Sequence, residues 1–295
     1  MHSLFSPFQS GRVSQLAALF LSVLFQSAPP GFAEAKDYIA LVNSGSDVLV
    51  RWGMEPSDPH SNTAVVSGVS EYPGLKLWNS NTRDPEPRVD GYSEGSGAVL
   101  TGCAFPEDRM AAALQTTSEI RFFSQTTIEI LFSMQKLPGN SDSTVYFSAV
   151  KSRAENDISI RFSPLVFQRE TGEFSSVIGS GPIQKAKIPW HISSEAGHWY
   201  YAVIRLQFAD TKIEYSVNVA DLTAGDKNTR EAVPLTTRPL DATLFTDKGI
   251  RMQIGIGSGI EEKRAAPVLF DEIVISKGLL TSEQINERLA ALLKR

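Results

Sequence analysis

Alternating apolar and polar residues recur through the middle of the chain and predict a series of β-strands. Within residues 127–134, Ile128, Ile130 and Phe132 share one side of an extended segment, whereas Glu129 lies on the other side. Comparable alternation, with turn-forming residues between the segments, occurs at 145–150, 157–162, 198–208, 212–219 and 251–257. Strands that alternate with a period of two form antiparallel sheets with one buried face. The pattern therefore predicts an all-β fold in which two antiparallel sheets pack as a sandwich.

The N-terminal half contains shorter apolar pieces. Residues 39–42, 47–53 and 74–78 have the length and composition of strands, and residues 106–114 can form one or two helical turns. Residues 221–247 are rich in Thr, Pro, Asp and Arg, which predicts a long surface connection. No long helix is expected before the C-terminus.

The end of the chain combines a strand pattern with a helix pattern. Residues 268–276 form an apolar run whose only charges are the adjacent carboxylates Asp271 and Glu272. Thr281 and Gln284 then have the spacing of a capping box at the start of a helix. Apolar residues recur on one face of that helix, at positions 285, 289 and 292. The sequence therefore predicts a final strand and a helix that packs against the sandwich.

The N-terminus has the organisation of a secretory signal peptide. Arg12 precedes a short apolar run at 16–25, and a small-residue pattern follows at 33–35. This order predicts cleavage after Ala35, so that residues 1–35 are the signal peptide and residues 36–295 form one domain. A bilayer span needs roughly 20 apolar residues, and the run at 16–25 is shorter than that. An uncleaved membrane anchor is therefore the alternative to a cleaved signal peptide. The mature protein is expected to be secreted or periplasmic, with no membrane-spanning segment.

Charge and cysteine content narrow the possible functions. The chain of 295 residues carries a formal net charge of −5, and its pI is about 5.5. Nucleic-acid binding usually needs a basic face, which this scattered charge does not provide. Cys103 is the only cysteine, so no intrachain disulfide can form. Stability therefore depends on packing or on a bound metal.

Three blocks of sequence resemble the concanavalin A-like lectin/glucanase superfamily, and within it the laminin G-like domains of secreted bacterial proteins. The blocks are residues 123–132, residues 197–204, and residues 252–255 leading into 270–275. The ending, with Asp-Glu in the last strand and Leu-Thr-Ser-Glu-Gln-Ile at 280–285, is similar to a recurrent ending of that family. The resemblance covers residues 74–293 and implies a two-sheet antiparallel jelly-roll sandwich with a short C-terminal helix.

Two features depart from the family pattern. The family's short strand that ends in Asp-Gly is here a segment in which Asp221 is followed by Leu222. The connection after this segment is also longer than is typical. A binding site carried by that loop is therefore not supported by the resemblance.

A structural calcium ion is the cofactor that the resemblance implies. In related sandwiches, backbone carbonyls near the N-terminus and an aspartate of the last strand hold such an ion, and that aspartate corresponds to Asp271. Calcium takes about six to eight oxygen ligands, so one carboxylate is not a site by itself. The alternative is that Asp271 accepts hydrogen bonds from turn amides at the sheet rim and that Glu272 faces solvent.

Aromatic residues supply candidates for ligand binding. Trp190 lies close in sequence to Trp199 and Tyr201, and alternation places Trp199, Tyr201 and Arg205 on the side of one strand opposite Tyr200. Sugar rings are recognised by aromatic faces with polar groups at their edges. Trp190, Trp199, Tyr201 and Arg205 are therefore a candidate carbohydrate platform. The alternative is that they are packing residues, because aromatic side chains are frequent in cores.

No catalytic residues are predicted. Sandwich glucanases of the superfamily carry Glu-x-Asp-x-x-Glu on one strand, and this string is absent. Glu170 and Glu173 flank a turn, and Asp271 and Glu272 would face opposite sides of a regular strand. The sequence therefore favours a secreted, non-catalytic module that binds a carbohydrate or a surface glycoprotein, so that its partner is a glycan or a cell-surface or extracellular protein. A polysaccharide-degrading glycoside hydrolase or lyase on the same fold is the alternative, and a structural envelope protein is a third possibility.

Overall fold

The computed structural model describes residues 38–44, 47–53, 75–77, 86–88, 91–92, 98–103, 111–140, 142, 144–150, 160–180, 186–247, 249–255 and 264–294. The chain divides into residues 1–36 and residues 37–295, and every described residue belongs to the second part. The predicted signal peptide lies outside the described residues. So does most of the predicted helical turn at 106–114.

Strands form most of the described chain. In chain order the elements are α1 (Tyr38–Ser44), β1 (Val48–Trp52), β2 (Leu75–Leu77), β3 (Glu86–Arg88), β4 (Ala98–Thr101), β5 (Leu114–Thr116), β6 (Gln125–Met134), β7 (Val145–Val150), β8 (Ile160–Gln168), β9 (Glu173–Ser180), β10 (Ala186–Ser193), β11 (Trp199–Ala209), β12 (Lys212–Asp221), β13 (Arg230–Pro239), α2 (Thr243–Thr246), β14 (Arg251–Ile254), β15 (Val268–Lys277) and α3 (Ser282–Leu292). Long strands begin at β6, where the regular alternation of the sequence begins.

The described strands form two sheets, and the pairings within each are antiparallel. The first sheet has the order β13-β12-β11-β6-β15-β4-β3, and β1 pairs with the C-terminal half of β15. The second sheet has the order β10-β9-β8-β7-β14-β5-β2. In both sheets, strands that are distant in the sequence lie side by side.

The two sheets enclose one apolar core, as the period of two predicts. Tyr200 and Ile204 of β11 and Ile130 and Phe132 of β6 are buried in this core. The ring of Phe132 lies 5.7 Å from that of Tyr200 and 5.2 Å from that of Phe174, which belongs to the second sheet. The predicted two-sheet antiparallel sandwich is therefore confirmed.

A second apolar cluster lies on the outer face of the first sheet, and α1 and α3 both contribute to it. The helix α3 buries Ile285, Leu289 and Leu292, the three positions that the sequence predicts. Its capping box is also formed: Thr281 Oγ1 accepts from the Gln284 N–H at 3.2 Å, and Gln284 Oε1 accepts from the Thr281 N–H at 2.9 Å. The predicted C-terminal helix is confirmed. None of the helices in the described chain is long and apolar enough to cross a bilayer.

Residues 39–42 belong to the helix α1, so the prediction of a strand there is wrong. Tyr38 and Val42 are buried in the outer cluster, whereas Ala40 between them is exposed. A strand would place all three on one side, whereas a helix places residues four apart on one side and residues two apart on opposite sides. A run of four apolar residues has no period from which the two could be distinguished.

Residues 221–247 contain an edge strand and a helical turn, so the prediction of a long surface connection is wrong. The strand β13 pairs with β12 at the edge of the first sheet. Val233 pairs with Val217 and Thr236 with Tyr215, a register shift that leaves Pro234 in a bulge. Proline is tolerated at such a position because its missing N–H is not needed by the ladder. The bulge also breaks the alternation by which a strand is recognised.

Candidate functional site

A line of polar side chains crosses the outer face of the second sheet. In β14, Met252 and Ile254 face the core, so Gln253 between them faces outward. The register pairs Gln253 with Gln115 of β5 on one side and with Ser148 of β7 on the other. We call Gln115, Gln253 and Ser148 the polar row. It runs perpendicular to the strands and spans about 10 Å, because adjacent strands lie about 4.8 Å apart.

The polar row is buried. Gln253 is 0% exposed, Ser148 2% and Gln115 9%. Among the described residues, Nε2 and Oε1 of Gln253 and Oγ of Ser148 have no hydrogen-bond partner. A primary amide has two donors and two acceptor lone pairs, and a buried polar group left unsatisfied costs about 1–3 kcal/mol. A ligand or an ordered water that supplied these hydrogen bonds would remove the cost.

Tyr146 lies two residues before Ser148 on β7. Its hydroxyl is buried and has no hydrogen-bond partner in the part of the chain that the structure describes. Burial raises the pKa of this phenol, and the nearby Asp142 carboxylate raises it further, so the hydroxyl stays protonated. Asp142 itself accepts from the Gly139 N–H at 2.9 Å and lies 3.4 Å from Nε of Arg264.

Arg251 is the one charged residue in the sequences of β5, β7 and β14. Alternation places it on the same side of β14 as Gln253. Its Nε lies 3.6 Å from Oε1 of Glu119, and both side chains are partly exposed. The positive charge of Arg251 is therefore matched by a carboxylate. Lys76 of β2, which the register pairs with Gln115, is a second basic residue beside the polar row.

The chemistry of the polar row is that of uncharged hydrogen-bonding groups. Amide and hydroxyl groups, like the nearby phenol of Tyr146, can donate and accept hydrogen bonds without carrying charge at neutral pH. The described residues contain no group of three or more His, Cys, Asp or Glu side chains that could hold a metal ion. These groups can exchange hydrogen bonds with ordered water or with a ligand that presents hydroxyl groups.

Several solved structures have a similar fold. A botulinum neurotoxin type C structure, described by cell entry through two ganglioside molecules, matches with a TM-score of 0.51 and 10% identity, over 86% of this chain and 53% of its own. A mutant Trypanosoma rangeli sialidase with trans-sialidase activity matches with a TM-score of 0.50 and 12% identity, over 85% of this chain and 34% of its own. An endo-1,3-beta-glucanase from Streptomyces sioyaensis matches with a TM-score of 0.48 and 9% identity, over 79% of this chain and 96% of its own.

The two matches with a TM-score of 0.50 or higher show the fold class and not a family. This chain spans about a third of the sialidase, 34%, and about half of the toxin chain, 53%. No protein-family model matches the sequence, and no curated protein matches it either. The shared β-sandwich therefore does not identify an activity for this chain. The laminin G-like assignment stays a prediction.

Trp190 lies in the core between the sheets and not on a surface with Trp199. Its side chain is fully buried, and its ring lies 5.9 Å from that of Phe174. Its Nε1 donates to Oγ of Ser176 at 3.0 Å, so the polar edge of the indole also has a partner inside the protein. Both the ring and the N–H of Trp190 have partners inside the core, so its position does not support the predicted role in ligand binding.

Trp199, Tyr201 and Arg205 share the outer face of the first sheet, as alternation predicts, but they do not form an open platform. Tyr201 is fully buried in the outer cluster, and its hydroxyl donates to Oε2 of Glu129 at 2.5 Å. Trp199 is partly exposed and packs edge-on against Tyr92, with 6.0 Å between ring centroids. Tyr201, which lies between the other two residues on β11, is covered by the cluster to which α1 and α3 contribute.

The guanidinium of Arg205 reaches across the face of the sheet to the neighbouring strand β12. Its Nε donates to Oγ of Ser216 and its Nη2 to Oδ1 of Asn218, both at 3.1 Å, and both acceptors lie on β12. Trp199 is thus the member of the predicted platform that keeps a partly exposed aromatic surface.

Asp271 and Glu272 lie on the same outer side of β15, so the expectation that they face opposite sides is wrong. The pairing with β6 shifts register between Phe270 and Glu272, which makes Asp271 the extra residue of a β-bulge. Phe270 before the pair and Ile273 after it both face the core. The bulge adds one residue and thereby cancels the alternation at this point.

Both carboxylates are buried and contact other segments of the same chain. Oδ2 of Asp271 accepts from the backbone N–H of Tyr92 at 2.7 Å, and Oε1 of Glu272 lies 2.5 Å from Nη2 of Arg51. Glu272 therefore does not face solvent. Calcium takes about six to eight oxygen ligands, and the described residues do not by themselves supply such a set around Asp271. A calcium ion at Asp271 stays a prediction.

The sequence contains a weak signal for the polar row. Alternation in residues 145–150 and 251–257 already places Ser148 and Gln253 opposite apolar neighbours. A short amide or hydroxyl side chain in the middle of an apolar strand is the observation that could have identified them. Alternation does not say which strands are adjacent, however, so it could not bring Gln115, Gln253 and Ser148 into one line.

His198 lies between two carboxylates just before β11. Its Nδ1 is 2.9 Å from Oδ2 of Asp221, and its Nε2 is 3.3 Å from Oε2 of Glu195. The hydrogen bond with Asp221 raises the pKa of His198, desolvation opposes this increase, and the charges of Asp221 and Glu195 add to it. The contact joins the turn before β11 to the end of β12.

The contribution of His198 to stability is expected to disappear as the pH rises. Because its pKa is higher in the folded state than in the unfolded state, the stabilisation is fully present below about pH 6.5 and is lost as the pH passes through the folded-state value. Urea unfolding of the wild type and of His198→Asn at a series of pH values measures the effect. His191→Asn, at an exposed histidine, is the control. A free-energy difference between wild type and His198→Asn that stays constant with pH would contradict this expectation.

Proposed function

We propose that this protein is a secreted or periplasmic, non-catalytic carbohydrate-binding module and that the polar row contacts the glycan. One observation supports the proposal most strongly. Gln253 and Ser148 are buried on the outer side of a sheet, and their polar atoms have no hydrogen-bond partner among the described residues. In native proteins such groups find a partner in an ordered water, an ion or a ligand, and a ligand is the partner that we propose here.

Glycans match this requirement chemically. Each sugar hydroxyl both donates and accepts hydrogen bonds, as does the primary amide of Gln253 and the hydroxyl of Ser148. A ligand with several hydroxyl groups can therefore satisfy adjacent members of the polar row at the same time. The glycan can be a free polysaccharide or part of a glycoprotein on a cell surface, as the sequence predicts.

The proposal does not depend on what the structural relatives bind. The neurotoxin interacts with gangliosides, and the trypanosome protein is a sialidase. At 10% and 12% identity, however, these matches show only that the fold is similar. Glycoside hydrolysis needs two carboxyl groups about 5–10 Å apart. The carboxylates of Glu119 and Asp142, which lie beside the described part of the site, are each paired with an arginine. Binding is therefore favoured over catalysis.

Binding of the protein to a printed array of oligosaccharides, followed by calorimetric titration with the strongest binder, tests the proposal. Gln253→Met and Ser148→Ala are expected to weaken binding about fivefold to a hundredfold, because each removes about one to three hydrogen bonds of about 1 kcal/mol. Gln207→Met, a matched change on the outer face of the first sheet, should leave affinity unchanged.

Two outcomes would contradict a role of the polar row in glycan binding. In the first, the folded protein retains no oligosaccharide; in the second, Gln207→Met weakens binding as much as Gln253→Met does. Release of reducing ends or of unsaturated products from the bound polysaccharide would contradict the non-catalytic role and support the hydrolase or lyase alternative.

A further inference from the structure

We propose that the helices α1 and α3 form one hinged cover on the outer face of the first sheet, and that the carboxylate of Glu129 fastens both helices to that sheet. The cover opens as a unit while the sandwich beneath it stays folded. Because the cover lies on the first sheet, its opening does not depend on what the polar row of the second sheet binds.

A single buried carboxylate contacts both helices. Glu129 of β6 is 1% exposed, and its Oε1 accepts from Nη1 of Arg288 in α3. Its Oε2 accepts from the hydroxyl of Tyr38 in α1 at 3.5 Å and from the hydroxyl of Tyr201 in β11 at 2.5 Å. Hydrogen bonds to an ionised acceptor are about twice as strong as those between neutral groups. Glu129 therefore links α1 and α3 to each other as well as to the sheet.

The apolar contacts of the cover are separate from the core between the sheets. Tyr38 and Val42 of α1 join Ile285, Leu289 and Leu292 of α3 in the outer cluster, and no buried member of that cluster belongs to the core cluster. Opening the cover therefore leaves the core intact. With seven residues, α1 is also too short to be a stable helix once it leaves α3 and the sheet, because isolated helices below about 12 residues are marginal in water.

Charge prevents α3 from leaving while α1 stays in place. If Arg288 departed alone, Glu129 would remain beneath Tyr38 without its counter-charge, since the nearby Arg51 is already paired with Glu272 at 2.5 Å. A buried charge that loses its partner is strongly unfavourable. When both helices leave together, water reaches Glu129 and Arg288, and this cost is avoided. The release of α3 therefore requires the release of α1.

The link before α3 supplies the hinge. Oγ1 of Thr127 donates to the carbonyl oxygen of Gly278 at 2.8 Å and accepts from the N–H of Leu280 at 3.1 Å, which holds this link on β6. Gly278 has a φ of +84°, a conformation that glycine adopts without strain. The helix α3 can thus swing outward while the link stays on the sheet. Opening exposes Tyr201 beside the partly exposed Trp199, on the same side of β11.

Hydrogen exchange of the purified protein, measured by mass spectrometry in low concentrations of urea, tests the cover. The amides of α1 and α3 are expected to exchange together and faster than those of β6 and β11. Arg288→Met should speed exchange in both helices by about a hundredfold or more, and Arg288→Lys, which keeps the charge, should speed it by less. Arg230→Met, at an exposed arginine paired with Asp226, is the matched control and should change exchange in neither helix.

Two results would overturn the proposal. An increase in Arg288→Met that is absent from α1 would show that Glu129 does not couple the two helices. Exchange of both helices at the rates of β6 and β11 in the wild type would show that they open only with the whole sandwich. If Arg288→Met does not fold, Arg288→Lys decides by the same criterion, because a smaller increase in both helices is expected and an increase confined to α3 contradicts the coupling.

Discussion

Separate replacement of Glu129 by Leu and of Arg288 by Met is expected to lower the free energy of unfolding by about 3–5 kcal/mol in each case. The two side chains form an ion pair between β6 and α3, and they are only 1% and 10% exposed. Removal of one partner leaves the other charge buried without compensation. Glu129 also accepts from the hydroxyls of Tyr201 at 2.5 Å and Tyr38 at 3.5 Å, so three elements lose a contact.

The charge state of this pair follows from its surroundings. Burial raises the pKa of Glu129, and Arg288 and the hydrogen bonds from the tyrosines oppose that increase. Burial lowers the pKa of Arg288, but the carboxylate of Glu129 outweighs it, so the pKa of the guanidinium is raised overall. Each charge thus stabilises the other, which makes the loss of either one costly.

The double variant Glu129→Leu/Arg288→Met separates the pair from its members. Because no charge is left unpaired in the double variant, it is expected to be more stable than either single variant. It should remain about 1–3 kcal/mol less stable than the wild type, because the buried hydroxyl of Tyr201 loses its acceptor. Urea unfolding followed by circular dichroism measures all four proteins. Losses below about 1 kcal/mol in the single variants, the size typical of exposed ion pairs, would contradict the buried position of this pair.

Trp190→Ala is expected to lower the free energy of unfolding by about 3–5 kcal/mol, because it removes a fully buried indole from the core. Trp190→Phe keeps an aromatic ring beside Phe174 but loses the hydrogen bond to Ser176, so a smaller loss is expected. Thermal and urea unfolding measure both variants, and glycan affinity is measured at a temperature at which both are folded.

Glycan affinity decides between the two roles that the sequence allows for Trp190. A core residue changes stability and leaves the affinity of the folded protein unchanged. A Trp190→Ala variant with wild-type stability and weakened glycan binding would instead show that the indole belongs to a ligand platform, and it would contradict the position of Trp190 in the core.

The elements that sequence predicted well are those whose pattern is local. Alternation in β6 and β11 depends only on which side of a strand each residue faces, and the capping box depends on two side chains three residues apart. Thr281 and Gln284 can therefore be identified without knowing what α3 packs against. The fold class followed because such strands recur at short intervals along the chain.

The elements that sequence predicted poorly depend on distant neighbours. Pro234 marks a bulge only because β13 is an edge strand, and Asp271 is an extra residue only relative to β6. Tyr201 and Trp199 look alike in the sequence, yet helices from the two ends of the described chain bury one and leave the other partly exposed. The polar row depends on the same kind of information, since Gln115, Gln253 and Ser148 meet only through strand order.

The most direct test of the polar row as a ligand site is the combined effect of Gln253→Met on stability and on binding. If the buried amide is kept for a ligand, an apolar side chain of similar length should raise the free energy of unfolding without glycan by about 1–2 kcal/mol, because an unsatisfied polar group is removed. The same variant should bind glycan about tenfold or more weakly. A variant that is less stable than the wild type and binds glycan with unchanged affinity would show that Gln253 supports the fold and not the ligand.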